Sequence, residues 1–313
     1  MLLTKFSLIA AAISAAVLSV SARAQSAQSI PFQLEDNLVH IDATLDGKPT
    51  SAVLDSGTGA ILVNRDSAAR LGLKEGAAIG VAPGGGTHPE ALYPTVIDRL
   101  TVGPVSLAAT PAVIMNTHSL SASAGFPIDV LVGTPVFLQG PVRIDYPARR
   151  VTFYAPENAP ACTDPIPLAI KNGVPLAMVT LKPAQSAAPV TLYLYVDLGT
   201  RHIAAMIGGK FLRTSDGQAL WAHGAPQQIG TGTGGAVAGI AVKADELTLG
   251  NRVYPALPIA LTKDVPAFNT GDVDGTLGVP LWKEGAITFD YANHHLCLTP
   301  TAHVDDGAKG PAR

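Results

Sequence analysis

The sequence predicts an all-β protein made of two similar lobes with a cleft between them. Short runs rich in β-branched residues alternate with glycine, proline, asparagine and aspartate, and few stretches have a helical period. Segments of the first half also recur in the second half, as expected of an internal duplication. The length of 313 residues and the hydrophobic content of 47% allow each half to bury its own core.

Three pairs of segments trace the duplication. They are 97–103 (IDRLTVG) with 244–250 (ADELTLG), 128–133 (IDVLVG) with 273–278 (VDGTLG), and 142–146 (VRIDY) with 286–291 (AITFDY). Asp129 and Asp145 are as far apart in the sequence as Asp274 and Asp290. We therefore predict an N-terminal lobe at 28–158 and a C-terminal lobe at 163–300, separated by a proline-rich boundary.

The first 24 residues have the features of a cleaved secretory signal. Lys5 precedes an apolar run at 6–20, and small residues flank Arg23 at the predicted cleavage site. A membrane anchor is the alternative, but the run is shorter than a bilayer span requires. We expect a periplasmic or secreted protein with no membrane anchor after signal removal. The polar tail at 301–313 is predicted to be disordered.

The charge of the chain excludes some classes of partner. The formal net charge is -3, and lysines and arginines form no run outside the leader. Proteins that bind nucleic acids or anionic membranes usually carry a basic patch. The sequence therefore predicts no nucleic-acid partner, and it leaves the oligomeric state open.

The sequence contains two cysteines, Cys162 and Cys297, which lie at opposite ends of the second lobe. In an exported chain such a pair predicts a disulfide bond, although both could remain free, buried thiols. Two residues cannot form a zinc site alone, so no metal is predicted. We favour the disulfide, which would join the two ends of the lobe.

Two Asp-x-Gly-Thr segments are the candidate functional motifs. Residues 55–58 (DSGT) and 197–200 (DLGT) each follow a strongly apolar strand and occupy equivalent places in the two halves. A single copy would be an ordinary turn, because Asp and Gly are common turn residues. Two equivalent copies indicate that Asp55 and Asp197 meet at a shared site.

A pair of adjacent carboxylates suits acid and base chemistry. Two such groups a few ångströms apart do not readily both ionise, so the pair shares one proton. One member can then activate a water while the other protonates the substrate, with no metal or cofactor. Gly57 and Gly199 permit tight turns. The hydroxyls of Thr58 and Thr200 are expected to hold each carboxylate in place.

The two motifs, together with LVG at 131–133 and TLG at 276–278, resemble those of pepsin-like and retropepsin-like aspartic peptidases, specifically bacterial exported members. The resemblance covers about residues 30 to 300. It implies a bilobal pepsin-like (acid protease) fold with two β-barrel-like lobes, a cleft between them, and a peptide or protein substrate. It also implies one catalytic aspartate from each lobe and a hairpin flap at 80–94, with a counterpart at 229–239.

One residue departs from the family pattern. The residue after each aspartate is usually Ser or Thr, whose hydroxyl crosses to the other lobe; Ser56 fits this pattern and Leu198 does not. Two functions therefore stay open: an aspartic-type endopeptidase, or a catalytically weak or inactive module that binds extended peptides or proteins. A glycosidase is a distant third, because its two carboxylates are roughly 5 to 9.5 Å apart.

Overall fold

The computed structural model describes residues 27–82, 84–86, 88–184, 188–269 and 272–300. The predicted signal at 1–24 and the predicted disordered tail at 301–313 lie outside these residues. Strands dominate the described part, and the prediction of an all-β, two-lobed chain is confirmed. None of the helices in the described ranges is both long and apolar enough to span a bilayer.

The first half contains eleven strands, three short α-helices and a 3₁₀ turn at Pro156–Asn158 among its described residues. The strands are β1 (Gln28–Pro31), β2 (Gln33–Glu35), β3 (Leu38–Leu45), β4 (Lys48–Leu54), β5 (Ile61–Asn64), β6 (Gly80–Val81), β7 (Ala91–Val102), β8 (Val105–Met115), β9 (Val130–Val132), β10 (Val142–Asp145) and β11 (Arg150–Phe153). The helices are α1 (Arg65–Leu71), α2 (His118–Ala124) and α3 (Thr134–Phe137).

The second half repeats this order with small differences. Its strands are β12 (Ile166–Lys171), β13 (Val174–Pro183), β14 (Val190–Val196), β15 (Ala205–Ile207), β16 (Pro226–Gly232), β17 (Gly235–Leu249), β18 (Arg252–Pro255), β19 (Pro258–Leu261), β20 (Gly275–Leu277), β21 (Gly285–Asp290) and β22 (His295–Pro300). One α-helix, α4 (Ser215–Ala222), lies between β15 and β16, and 3₁₀ turns occur at Phe211–Arg213, Pro266–Asn269 and Val279–Leu281.

The strand pairings show the duplication directly. In the first half β4 pairs in parallel with β9, β9 is antiparallel to β5, and β5 pairs in parallel with β8. In the second half β14, β20, β15 and β19 pair in the same order and with the same directions. The turns after β7 and β17 also match, since Gly103 and Gly250 both have positive φ, at 53° and 60°.

The two lobes share a sheet at their base. Strand β10 of the first lobe runs antiparallel to β21 of the second, with Val142 opposite Phe289 and Ile144 opposite Ile287. All four of these side chains are buried. The shared sheet extends the buried apolar core across the lobe boundary, which holds the lobes in a defined relative position.

A disulfide bond joins Cys162 to Cys297, with the two Cα atoms 5.9 Å apart. Cys297 lies in β22, and Cys162 lies a few residues before β12. Strands β12 and β22 are also hydrogen-bonded neighbours. The bond therefore closes the second lobe at its two chain ends.

Candidate active site

The two Asp-x-Gly-Thr segments lie where a buried strand ends. We call residues 55–58 the first Asp turn and residues 197–200 the second Asp turn. The first follows β4 and the second follows β14. The backbone N–H groups of Asp55 and Asp197 each donate a 3.0 Å hydrogen bond, to the carbonyl oxygens of Val132 and Leu277. Equivalent strands thus position both aspartates.

The structure places the carboxyl groups of Asp55 and Asp197 side by side across the lobe boundary, because a side-chain carbon at Gly199 would lie 3.1 Å from Asp197 Oδ1 and 3.2 Å from both carboxyl oxygens of Asp55. A hydrogen bond between the two carboxyls contributes to the pKa of each. Each also accepts a hydrogen bond within its own turn, from Gly57 N at 2.8 Å and from Gly199 N at 2.7 Å. A side chain at Gly57 would overlap the Asp197 carboxylate. A contact of this kind favours a pair that shares a proton over a glycosidase pair, whose carboxylates are roughly 5 Å or more apart.

The surroundings of the pair favour retention of a proton. Burial, and then the negative charge of Asp197, raise the pKa of Asp55 to about 8. Burial also raises the pKa of Asp197, although hydrogen bonds from Thr200, Gly199 and Asp55 oppose the rise. Since Asp197 receives more donors, the shared proton is expected to reside mainly on Asp55.

The two threonines of the turns act differently. Thr200 Oγ1 donates to Asp197 Oδ2 at 2.8 Å, as expected, and also contacts Thr276 Oγ1 at 3.0 Å. The expectation for Thr58 is wrong: its hydroxyl contacts the backbone of Ala60, at 3.4 to 3.5 Å. The strand position that Thr276 occupies in β20 is taken by Leu131 in β9, so the first turn lacks this polar partner.

Ser56 makes the interlobe contact that its position suggests. Its hydroxyl is fully buried, donates to Val196 O at 2.8 Å, and accepts from Leu198 N at 3.1 Å. Leu198 is also fully buried and packs in the hydrophobic core. Because leucine has no hydroxyl, the second Asp turn does not return an equivalent side-chain bond to the first lobe.

Two glycine-rich hairpins from opposite lobes meet at their tips. The first hairpin (80–94) is formed by β6 and β7, and the second (229–239) by β16 and β17. Gly234 N donates to Gly85 O at 2.9 Å, and His88 N donates to Gly234 O at 3.0 Å. Side chains at Gly86 or Gly234 would overlap the opposite backbone. The glycines therefore permit a direct contact between the lobes.

Tyr93, near the C-terminal end of the first hairpin, lies in strand β7. Its ring lies beneath the Arg65 guanidinium, 4.4 Å from the charge centre, on the first lobe. Ser119 of α2 is not among the residues predicted from the sequence, and its hydroxyl donates to the carbonyl oxygens of Gly232 and Thr233 in the second hairpin, both at 3.1 Å. No motif marks this serine, because its partners lie in the other lobe.

Residues 41–136 match the family model described as aspartyl protease. The crystal structure of the aspartic proteinase from Irpex lacteus is similar in fold, with a TM-score of 0.54 and 10% sequence identity over 90% of this chain and 99% of that one. No curated protein sequence matches significantly. These comparisons show that the chain has the fold of a pepsin-like aspartic proteinase, and they support a place in the aspartyl protease family.

Proposed function

We propose that the chain is an aspartic-type endopeptidase in which Asp55 and Asp197 activate a water molecule to hydrolyse peptide bonds. The observation that carries this proposal is the contact between the two carboxyl groups, one from each lobe. A pair that shares one proton holds an acid and a base in the same site. The match of residues 41–136 to the aspartyl protease model supports the same chemistry.

The hydrogen bonds around the pair suggest separate roles. Asp197, ionised and held by Thr200 and Gly199, takes a proton from the water as its oxygen attacks the peptide carbonyl carbon. Asp55 gives its proton to the carbonyl oxygen, which produces a tetrahedral diol. Asp197 then passes its proton to the nitrogen, the C–N bond breaks, and Asp55 recovers a proton from one hydroxyl of the diol.

A peptide or protein chain in the cleft between the lobes is the proposed substrate. The hairpin tips are hydrogen-bonded to each other, so we propose that they separate to admit a polypeptide. We also propose that residues 1–24 direct export. The disulfide between Cys162 and Cys297 supports an oxidising compartment, which is consistent with a periplasmic or secreted location.

A peptide-binding module without efficient catalysis is the second candidate. The observation that favours it is Leu198, which removes one hydroxyl from the interlobe contacts. Catalysis depends on accurate positioning of the reacting groups, and small displacements can reduce rates about 10²-fold. Binding does not require the same accuracy.

Cleavage of unfolded proteins and mixed peptides between pH 3 and pH 8 tests the proposal. Asp55→Asn and Asp197→Asn should each reduce cleavage by about 10³-fold or more, because each removes one proton-transfer group. Asp46→Asn is the control, since Asp46 lies in an exposed turn and accepts from Arg99 N. Full cleavage by either dyad variant would refute the proposal. Peptide binding without cleavage by the wild type would favour the second candidate.

The pH dependence of stability tests the dyad without any substrate. The raised pKa of Asp55 favours its protonated form in the folded state. Its contribution to stability is therefore complete below pH 4 and is lost as the pH rises through about 8. Asp55→Asn cannot ionise, so the Tm of this variant should rise relative to the Tm of the wild type as the pH increases from 4 to 8. A difference in Tm that is the same at pH 4 and pH 9 would argue against a shared proton.

A further inference from the structure

Each Asp turn is followed by a contact with the opposite lobe, and the two contacts differ in kind. Gly59, after the first Asp turn, packs against the β12–β13 turn, where a side chain at Gly59 would overlap Asn172 O. Arg201, after the second Asp turn, reaches the β2–β3 turn and forms an ion pair with Asp36. The first contact is made by close backbone packing and the second by charged side chains.

Arg201 belongs to a compact polar cluster between the lobes. Its Nη2 donates to Ser123 Oγ of α2 at 2.9 Å. His202 Nε2 lies 2.7 Å from Asp36 Oδ1, and His202 Nδ1 lies 3.2 Å from Asn37 Nδ2. We call these five residues the Arg201 cluster. It joins the segment directly after Thr200 to two separate elements of the first lobe.

The burial of Arg201 indicates that its contacts are maintained. Its side chain is only 8% exposed. Burying a guanidinium is costly unless its charge is paired and its donors are hydrogen-bonded. Arginine has a rigid planar fork that can engage two partners in a fixed geometry, as it does here with Asp36 and Ser123. Any movement of the second Asp turn away from the first lobe would break these contacts.

We propose that Arg201 is a positioning residue for Asp197, holding the second Asp turn against the first lobe where Leu198 offers no hydroxyl. This inference rests on the proposed function. Ser56 connects the turns from the first lobe, through Val196 O and Leu198 N. The Arg201 cluster adds the connection from the second lobe. The guanidinium of Arg201 pairs with Asp36. It influences the position of Asp197 only indirectly, through the backbone of residues 197–201.

Loss of this connection has two expected consequences. The second Asp turn gains freedom, so the carboxyl groups spend less time in contact and proton transfer becomes less efficient. Greater separation also weakens the effect of the Asp197 charge on Asp55, so the raised pKa of Asp55 moves down. Substrate affinity should change little, since none of the five residues belongs to either hairpin tip.

The test compares Arg201→Met with Arg65→Met in the full chain. Arg65 pairs with Glu75 within the first lobe, so its replacement removes an Arg–carboxylate pair without touching either Asp turn. For Arg201→Met we expect kcat to fall about tenfold or more with KM within about twofold, and the alkaline limb of the pH profile to move to lower pH. Arg201→Lys should recover only part of the loss, because lysine lacks the fork.

A second measurement separates failure of this inference from failure of the proposed function. The gain in Tm from Asp55→Asn above pH 8 is measured in the wild-type and the Arg201→Met backgrounds. A smaller gain in Tm in the Arg201→Met background supports the role of Arg201 in positioning Asp197, even if no peptide is cleaved. An equal gain in Tm in the two backgrounds, or a pH profile of activity that Arg201→Met leaves unchanged, overturns the inference. If Arg201→Met does not fold, Ser123→Ala provides the same comparison with a milder change, and an equal gain there overturns the inference too.

Discussion

The two Asp turns have the same backbone arrangement and different side-chain surroundings. Both follow a strand that pairs in parallel with a short buried partner, and both place a glycine N–H 2.7 to 2.8 Å from their carboxylate. Only the second turn adds a hydroxyl donor, from Thr200. Duplication thus preserves the position of each aspartate, while side-chain differences favour the proton on Asp55 and the negative charge on Asp197.

The two Asp turns also differ in the contacts that they make with the opposite lobe. The first Asp turn uses Ser56 and the close packing of Gly59, whereas the second uses a buried leucine and the charged Arg201. Substitutions at the disulfide, at the residue after each aspartate and at the two threonines test this difference between the lobes.

The largest difference in stability is expected from the disulfide, which only the second lobe has. The cysteines are 135 positions apart, and a loop of this length corresponds to about 4 to 5 kcal/mol in the chain-entropy model. Replacing both cysteines with serine should lower the free energy of unfolding of the second lobe by up to this amount. Denaturant unfolding measured with hydrogen exchange would show whether the first lobe keeps its stability. Equal losses in both lobes would mean that they unfold as one unit.

An intermediate effect is expected at the residue after each aspartate. Ser56→Ala leaves Leu198 N buried without its acceptor, which should cost about 1 to 3 kcal/mol and reduce kcat. Leu198→Thr places a hydroxyl in the core at a similar cost in stability. We expect it to change kcat less than threefold, because Arg201 already holds the second Asp turn.

Combining Leu198→Thr with Arg201→Met sharpens this test. The threonine should recover part of the activity lost with Arg201, because it can then supply the missing interlobe bond. Steady-state kinetics and thermal unfolding measure both effects. A large gain from Leu198→Thr alone would show that the second turn is poorly held in the wild type.

The smallest effect is expected at Thr58 and Thr200, whose replacement should change kcat/KM to different extents. Thr200→Val removes a hydrogen bond to a carboxylate and should reduce kcat/KM about tenfold. Thr58→Val removes only long contacts to Ala60 and should stay within about twofold. Their side-chain shapes are nearly the same, so each variant is the control for the other. Equal losses would show that Thr58 also supports its carboxylate during catalysis.

Much of the architecture was predictable from the sequence. Repeated segments indicated two similar lobes, and equivalent Asp turns indicated where the aspartates would meet. These features depend on local properties, such as alternating strand residues and turn glycines, which recur at matching positions in both halves. The export signal, the disordered tail and the two lobe boundaries stay predictions.

Other features depend on the packing of one lobe against the other. Arg201 and Asp36 are 165 positions apart, and Ser119 is 113 positions from Gly232. No periodicity connects residues at such distances, and the two halves differ at each of these places. The sequence by itself determined the strands, the turns and the pair of aspartates. Tertiary structure decided which aspartate receives more donors and how each turn is held, because both depend on side chains that the duplicated halves do not share.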